Sequence, residues 1–213
     1  MVSVMLTISV WNRKGGVGKT NSAIQIAGWF AAQGRKTSLV DLDPQGGSLI
    51  FAGYAKQNGK ELPFHVGRKP AADSEYIIFD HSPGVNSGGA LGSFVIVPTI
   101  LDASSFSITL KSIDELKNEM KKPYLLLPNR VEIQNKEQSE LLERIQEKAR
   151  AHGYEQPFIR KRVAYPRAYG MGITVFEPKS GLPSANDAQA EFEHLLSVMG
   201  SKIKQLASGG SEA

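Results

Sequence analysis

Ten consecutive residues, Trp11-Asn12-Arg13-Lys14-Gly15-Gly16-Val17-Gly18-Lys19-Thr20, narrow the folds open to this chain more than any other stretch. The spacing from the glycine-rich start to Gly18-Lys19-Thr20 is that of a P-loop. Backbone N–H groups wrap phosphates, Lys19 reaches the outer ones and the Thr20 hydroxyl ligates Mg²⁺. A loop of this kind needs a strand before it and a helix after it, and both are legible. Val4, Leu6, Ile8 and Val10 fall on one side of an extended run, and from Lys19 a helix can run to Gly34 with its N-terminus aimed at the anion.

Lys14 stands out because it lies too far from the phosphate-gripping end of the loop to duplicate Lys19. It can reach a nucleotide held by another subunit, or it can be an exposed lysine answering diffuse phosphate charge. The chain has 213 residues, enough for one domain with a full sheet between two helix layers. It contains no cysteine, which excludes disulfides and thiolate-held metal clusters. No cationic apolar leader precedes the first strand and no apolar run reaches membrane-spanning length, so a cytoplasmic protein is expected. The net charge of +4 is mild, but its distribution is uneven. Arg160, Lys161, Arg162 and Arg167 fall together without an acidic residue between them, whereas Lys136 to Arg150 mixes signs as a solvated helix face does.

Two further strands deliver carboxylates. Lys36 to Gly46 gives a short strand ending in Asp41-Leu42-Asp43-Pro44-Gln45-Gly46, and the carboxyl ends of strands in an open parallel sheet lie on the ligand edge. These aspartates sit beside the P-loop, or they simply end the strand and cap a helix starting near Ser48. Glu75 to Gly84 is a buried strand bringing Asp80 to the same edge, where it reads as a Walker B residue holding Mg²⁺ through water. His81 is read as a hydrogen-bonded loop residue in preference to a proton shuttle, and His65 as structural. Gly84, Gly88 and Gly89 mark a second switch loop.

The remaining elements are a short strand over Leu62–Val66, turn material at Gly67-Arg68-Lys69-Pro70 and an apolar strand over Ser93–Thr99. A helix follows with Phe106, Leu110, Ile113, Leu116 and Met120 on its inner stripe, then a strand from Lys122 into Pro128-Asn129-Arg130. A helix from Lys136 to His152 faces Leu141, Leu142 and Ile145 inward. Pro157 to Arg167 reads as a short strand and a basic loop with Tyr165 and Tyr169 interleaved, suited to phosphate-backbone contacts. Ile173 to Glu177 returns the chain to the body. A final helix spans Ala188–Leu206, and 208–213 reads as a disordered tail following one domain over 1–207.

Lys14 to Thr20 together with Asp41 to Gly46 resembles the ParA/MinD ATPases, whose deviant Walker A loop carries an extra leading lysine. The chain is most similar to the short, ParF-type ParA proteins. The resemblance implies an α/β single-domain P-loop fold of three layers, a mostly parallel twisted sheet flanked by helices on both faces. It implies an ATPase that binds ATP and Mg²⁺ through Lys14, Gly15, Gly16, Val17, Gly18, Lys19, Thr20 and Asn21, with Asn129 or Arg130 near the base. Asp43 would position or activate the attacking water, Asp41 would support the Mg²⁺ and switch-loop network, and Asp80 would hold the metal with Thr20. Lys14 would cross an ATP-dependent homodimer. Arg160, Lys161, Arg162 and Arg167 would hold double-stranded DNA nonspecifically, and a ParB-like partner would stimulate hydrolysis to position a plasmid, chromosome or other cargo on the nucleoid. With the first strand so near Met1, no helix-turn-helix is expected ahead of it. The Gly-Ser-Ala tail differs from the amphipathic C-terminal helix of MinD proteins, so no membrane partner is expected. A MinD-like membrane-surface ATPase and a P-loop ATP-dependent small-molecule ligase are the competing functions.

Overall fold

A computed structural model describes residues 5–84 and 90–208. Its strands β1 (Leu6–Val10), β2 (Thr37–Asp41), β3 (His65–Gly67), β4 (Tyr76–Asp80), β5 (Phe94–Thr99) and β6 (Tyr124–Pro128) form one sheet in the order β3-β2-β4-β1-β5-β6. Every pairing is parallel, so all carboxyl ends lie along one edge. The chain leaves β1 at that edge, in the middle of the sheet, where successive strands are laid down first to one side and later to the other. The α-helices among the described residues are α1 (Lys19–Ala32), α2 (Gly47–Gln57), α3 (Ala103–Asp114), α4 (Lys136–Ala151), α5 (Ala164–Met171) and α6 (Ala185–Ala207).

Alternation along the strands sorts side chains between two cores. Ile8, Val10, Phe94, Ile96, Leu125 and Leu127 join Ile24, Phe30, Phe192 and Leu195 of α1 and α6 on one face. Trp11, Val95, Val97 and Leu116 pack together on the other, and Leu142 and Ile145 of α4 meet Leu101 and Val131 nearby. Covering both faces is what allows strands as apolar as β5 and β6. This is the expected three-layer arrangement. Among the described residues no helix is long and apolar enough to cross a membrane.

Several local expectations shift. Helix α1 ends at Ala32, two residues before Gly34, and Val4 lies outside the described residues, as do Gly88, Gly89 and 209–213. The edge strand is His65–Gly67, starting three residues later and ending one later than expected. Ser208 closes α6 by donating its N–H to Lys204 O, so that residue belongs to the helix end. The inner stripe expected on the helix after β5 holds in part: Leu116 is buried and Ile113 and Phe106 pack against the core, but Leu110 is 50% exposed and Met120 37%, while Ser105, Thr109 and Ser112 are buried. Thr109 and Ser112 can go inward because Asn12 and Thr99 give them partners, as described below. The helix then widens into a π-helical turn over Glu115–Glu119, which turns Leu116 into the core.

The short strand expected at the start of Pro157 to Arg167 is reduced to one bridge, Val131 with Arg160, and from Ala164 the expected basic loop is helix α5. Pro166 sits in the first turn of that helix, where its missing N–H has no partner to lose. Helix α5 ends in the left-handed conformation at Gly172 (φ 66°) and lies so close to α2 that a Cβ on Gly172 would run into the Ala55 backbone. Left-handed strain alone costs about 1–2 kcal/mol for a side-chain-bearing residue. Gly172→Ala is therefore expected to lower the unfolding free energy by more than that amount in urea titrations followed by circular dichroism. An unchanged midpoint would mean that α5 can lift off α2 without penalty.

Candidate nucleotide-binding site

The loop after β1 is built from its head. Asn12 is fully buried, and its Nδ2 donates to Pro98 O (2.7 Å) and Thr109 Oγ1 (2.8 Å). Its Oδ1 accepts from Lys14 N (3.0 Å) and Ser112 Oγ (3.1 Å). Arg13 is held by Glu115 of the π-helical turn at 2.6 Å. These contacts explain why α3 buries hydroxyls: it is the wall to which the loop is fastened. At the loop's other end Gly18 has φ 95°, and a Cβ there would collide with Asn129 Nδ2. Asn129 donates to Val17 O (2.9 Å) and accepts from Arg130 N (2.9 Å), and Arg130 Nη1 lies 3.5 Å from Gly16 O. Both residues expected near the base therefore touch the loop, with the Asn129 amide engaged by its backbone.

A cavity of about 930 Å³ opens over this loop, lined by Gly15, Gly16, Gly18, Lys19, Thr20 and Asn21 with Asp43, Asn129 and Arg130. Lys19 is 6% exposed, and its ammonium donates to Lys14 O at 3.2 Å. Burial lowers its pKa, opposed by the nearby charges of Asp80 and Asp43. Lys14 does not line the cavity. Its backbone is pinned at both ends, and among the described residues its ammonium meets no acceptor.

Asp41 and Asp80 are lateral neighbours across the β2–β4 pairing, and both are fully buried. Burial pushes the Asp80 carboxyl up to about 6; the Ser48 and Thr20 hydroxyls oppose the rise and the charge of Asp41 adds to it. Ser48 Oγ donates to Asp80 Oδ2 at 2.8 Å, while Asp80 Oδ1 is buried with no hydrogen-bond partner among the described residues. An orphaned carboxylate oxygen beside the Thr20 hydroxyl fits Mg²⁺, which takes one or two protein oxygens and completes its shell with phosphate and water. Asp41 is engaged by backbone donors of the segment that follows it. Its Oδ1 accepts from Asp43 N (3.0 Å) and its Oδ2 from Leu49 N (3.0 Å), tying the loop between β2 and α2 to the strand end. Asp43 lines the cavity and accepts from Gln45 N at 2.9 Å. His81 is buried, its Nε2 2.8 Å from Ser9 Oγ, and burial followed by the charge of Lys19 lowers its pKa to about 4. It is a hydrogen-bonded residue just past the strand end, as read from the sequence.

The model of the CobQ/CobB/MinD/ParA nucleotide-binding domain matches residues 8–175, from β1 through the segment after α5. The chain belongs to that family. It is 46% identical over 52 residues to the chromosome-partitioning ATPase Soj of Thermus thermophilus, a match covering 24% of this chain and 21% of Soj. It is 30% identical over 105 residues to the chromosome partitioning protein ParA of Caulobacter vibrioides, covering 48% of this chain and 35% of that one. The chain thus spans about a fifth to a third of these relatives' lengths. In fold it is similar to the ATP complex of a Cyanothece McdA variant, with a TM-score of 0.70 over 92% of this chain and 96% of that one at 17% identity.

Within this family fold the basic segment is divided. Lys161 and Arg162 line the same cavity as the P-loop, with Val163, Tyr165, Pro166 and Tyr169. Arg162 is taken: its Nη2 and Nε bind Glu191 at 2.6 and 3.0 Å and its Nη1 binds Asp187 at 3.1 Å. This corrects its place among exposed DNA contacts, because Glu191 of α6 is too far along the chain for the basic run to reveal it. Tyr165 Oη also donates to Glu191. Lys161 pairs with Glu132 at 3.0 Å, both groups being exposed. Arg160 and Arg167 keep their guanidinium groups unpaired among the described residues, and Arg167 is exposed.

Sequence reasoning gave no role at the nucleotide site to Asn12, Ser48, Arg68, Tyr169 and Glu191. Asn12 lies within the P-loop stretch and Ser48 just past Gly46; the others meet the site through distant chain. Tyr169 Oη, for example, donates to Gly47 O at 2.7 Å.

The raised Asp80 pKa gives a signed prediction. Folded protein holds this proton up to about pH 6, whereas the unfolded chain releases it near 3.8, so the ionised group is a stability penalty that grows from about pH 4 to 6 and then levels off. Two pKa units correspond to about 3 kcal/mol. Without nucleotide and in EDTA, Asp80→Asn is expected to raise the unfolding temperature most at about pH 8, with the advantage shrinking below about pH 6. A pH-independent difference between variant and parent would show that burial does not load this carboxylate.

Proposed function

We propose that this chain is an ATPase that pairs with a second copy of itself when ATP is bound, holds double-stranded DNA nonspecifically in that state and thereby positions a plasmid, chromosome or other cargo. A ParB-like protein would accelerate hydrolysis. Lys14 carries the reading. Its neighbour Arg13 is neutralised by Glu115, yet Lys14 does not line its own loop's cavity and, among the described residues, its ammonium is unpaired. A cation so placed serves a phosphate in a facing copy better than one in its own.

In each copy, N–H groups of Gly15 to Thr20 cradle the phosphates and Lys19 meets their outer charge. Thr20 and, through water, Asp80 would hold Mg²⁺, which neutralises charge developing on the transferred phosphoryl group. Asp43 orders the attacking water. Lys14 joins the partner's triphosphate, so loss of the γ-phosphate removes the reason to pair. Helix α5 connects this event to DNA, because Tyr165 and Tyr169 face the cavity while Arg167 faces outward. Arg160, Arg167 and the weakly paired Lys161 form the DNA face, and two copies together raise avidity by about 10²–10⁴ over one. The partition reading draws on the names of Soj and ParA, which match part of this chain.

Lys14→Ala is expected to retain ATP binding and lose ATP-dependent dimers in light scattering; dimers of unchanged affinity would remove Lys14 from the partner's site. Arg167→Glu should weaken retention on nonspecific DNA and reduce its salt dependence while the ATP-dependent dimer persists. Arg162→Ala should instead lower stability by about 3 kcal/mol, because it leaves the Glu191 carboxylate without its cation in a largely dry setting, held only by Tyr165 Oη and Arg160 N. If Arg162→Ala melted like the parent and lost only DNA retention, the division of the basic segment would be wrong.

A further inference from the structure

Outside the motifs, Arg68 makes the most extensive side-chain contact with the loop that carries Asp43. It follows β3, whose register sets Gly67 beside Val40 and so brings Arg68 abreast of Asp41. Its Nη1 donates to Asp43 O at 2.7 Å and Asp41 O at 2.8 Å, and lies 3.3 Å from Asp41 Oδ1. Its Nη2 reaches along the same loop, 3.5 Å from where a Cβ on Gly46 would stand. One guanidinium therefore covers the loop from residue 41 to residue 46. Asp43 O also accepts from Gly46 N at 2.9 Å, so the turn and the arginine hold the same carbonyl.

Two carbonyls and a carboxylate oxygen converge on Nη1. Without a cation between them these negative ends would face one another, and the loop would open to relieve the repulsion. Arg68 does not line the cavity and cannot touch a nucleotide there. Whatever it contributes to catalysis passes through the loop.

We propose that Arg68 is a positioning residue for ATP hydrolysis, clamping the Asp41 and Asp43 carbonyls so that the Asp43 carboxylate is presented to the cavity at a fixed angle. The proposal rests on the reading of Asp43 as the residue that orders water. A side chain held to that task by its own backbone loses its aim when the backbone moves, and a displacement of about 1 Å can cost about 10²-fold in rate. Binding of ATP depends on the P-loop, which Arg68 does not touch.

The test is single-turnover phosphate release at saturating ATP, beside equilibrium binding of a fluorescent ATP analogue, in the full chain. Arg68→Ala is expected to slow turnover about 10²-fold with affinity close to the parent's, and added guanidinium ion should recover part of the rate. Arg68→Met, which keeps the aliphatic stem, carries the same expectation should the alanine variant fold poorly. A parental rate in a folded variant, or rate and affinity falling together without recovery by guanidinium, overturns the proposal. Asp43→Ala separates the two ideas. If it hydrolyses ATP like the parent, the reading of Asp43 fails and takes the clamp with it. If it is inactive while Arg68→Met is unimpaired, only the clamp fails.

Discussion

Two carboxylates lie side by side at a dry sheet edge, and most of the site's architecture answers that arrangement. Asp41 and Asp80 are partners across the β2–β4 pairing, and neither has solvent to screen it. The charge of Asp41 adds to burial in pushing Asp80 toward neutrality. The surrounding groups answer the two carboxylates: Lys19 and the Ser48 and Thr20 hydroxyls at Asp80, two backbone N–H groups and Arg68 at Asp41. The balance is uneven. Asp41 is enclosed by donors, while Asp80 keeps one oxygen without a partner among the described residues. One carboxylate holds a loop, and the other is left able to take a cation.

The same contrast separates the two lysines of the P-loop. Lys19 is drawn into the protein and held by Lys14 O, with a lowered pKa as the consequence of burial. Lys14 stays outside its own cavity, and among the described residues only its backbone is engaged. Polar bonds from α3 fix that backbone, so the side chain emerges from a rigid base. Helix α3 is thus a support for the loop more than a lid on an apolar core, and its π-helical turn brings Glu115 to Arg13.

Helix α5 carries the corresponding argument on the other side of the cavity. Through Tyr169 it touches Gly47, and the close approach of Gly172 to Ala55 docks it on α2. Glu191 anchors its approach by binding Arg162 and Tyr165 together. A movement of the loop between Asp43 and Gly47 therefore meets α5 directly. That contact supplies a physical route from the nucleotide to the outward-facing Arg167.

The sequence by itself determined the parallel sheet with helices on both faces, the phosphate loop, and the delivery of Asp41, Asp43 and Asp80 to one edge. Each follows from short-range rules: glycine spacing, alternation along a strand, and the direction in which parallel strands end. The tertiary structure alone decided which charges meet. Arg162 lies in a basic run yet belongs to Glu191, Arg68 sits in turn material yet grips the loop carrying Asp43, and α3 buries Thr109 and Ser112 because Asn12 and Thr99 wait opposite. These partners are separated by long stretches of chain, and Coulomb and hydrogen-bond energies depend on distances that exist only once the sheet has brought its edges together.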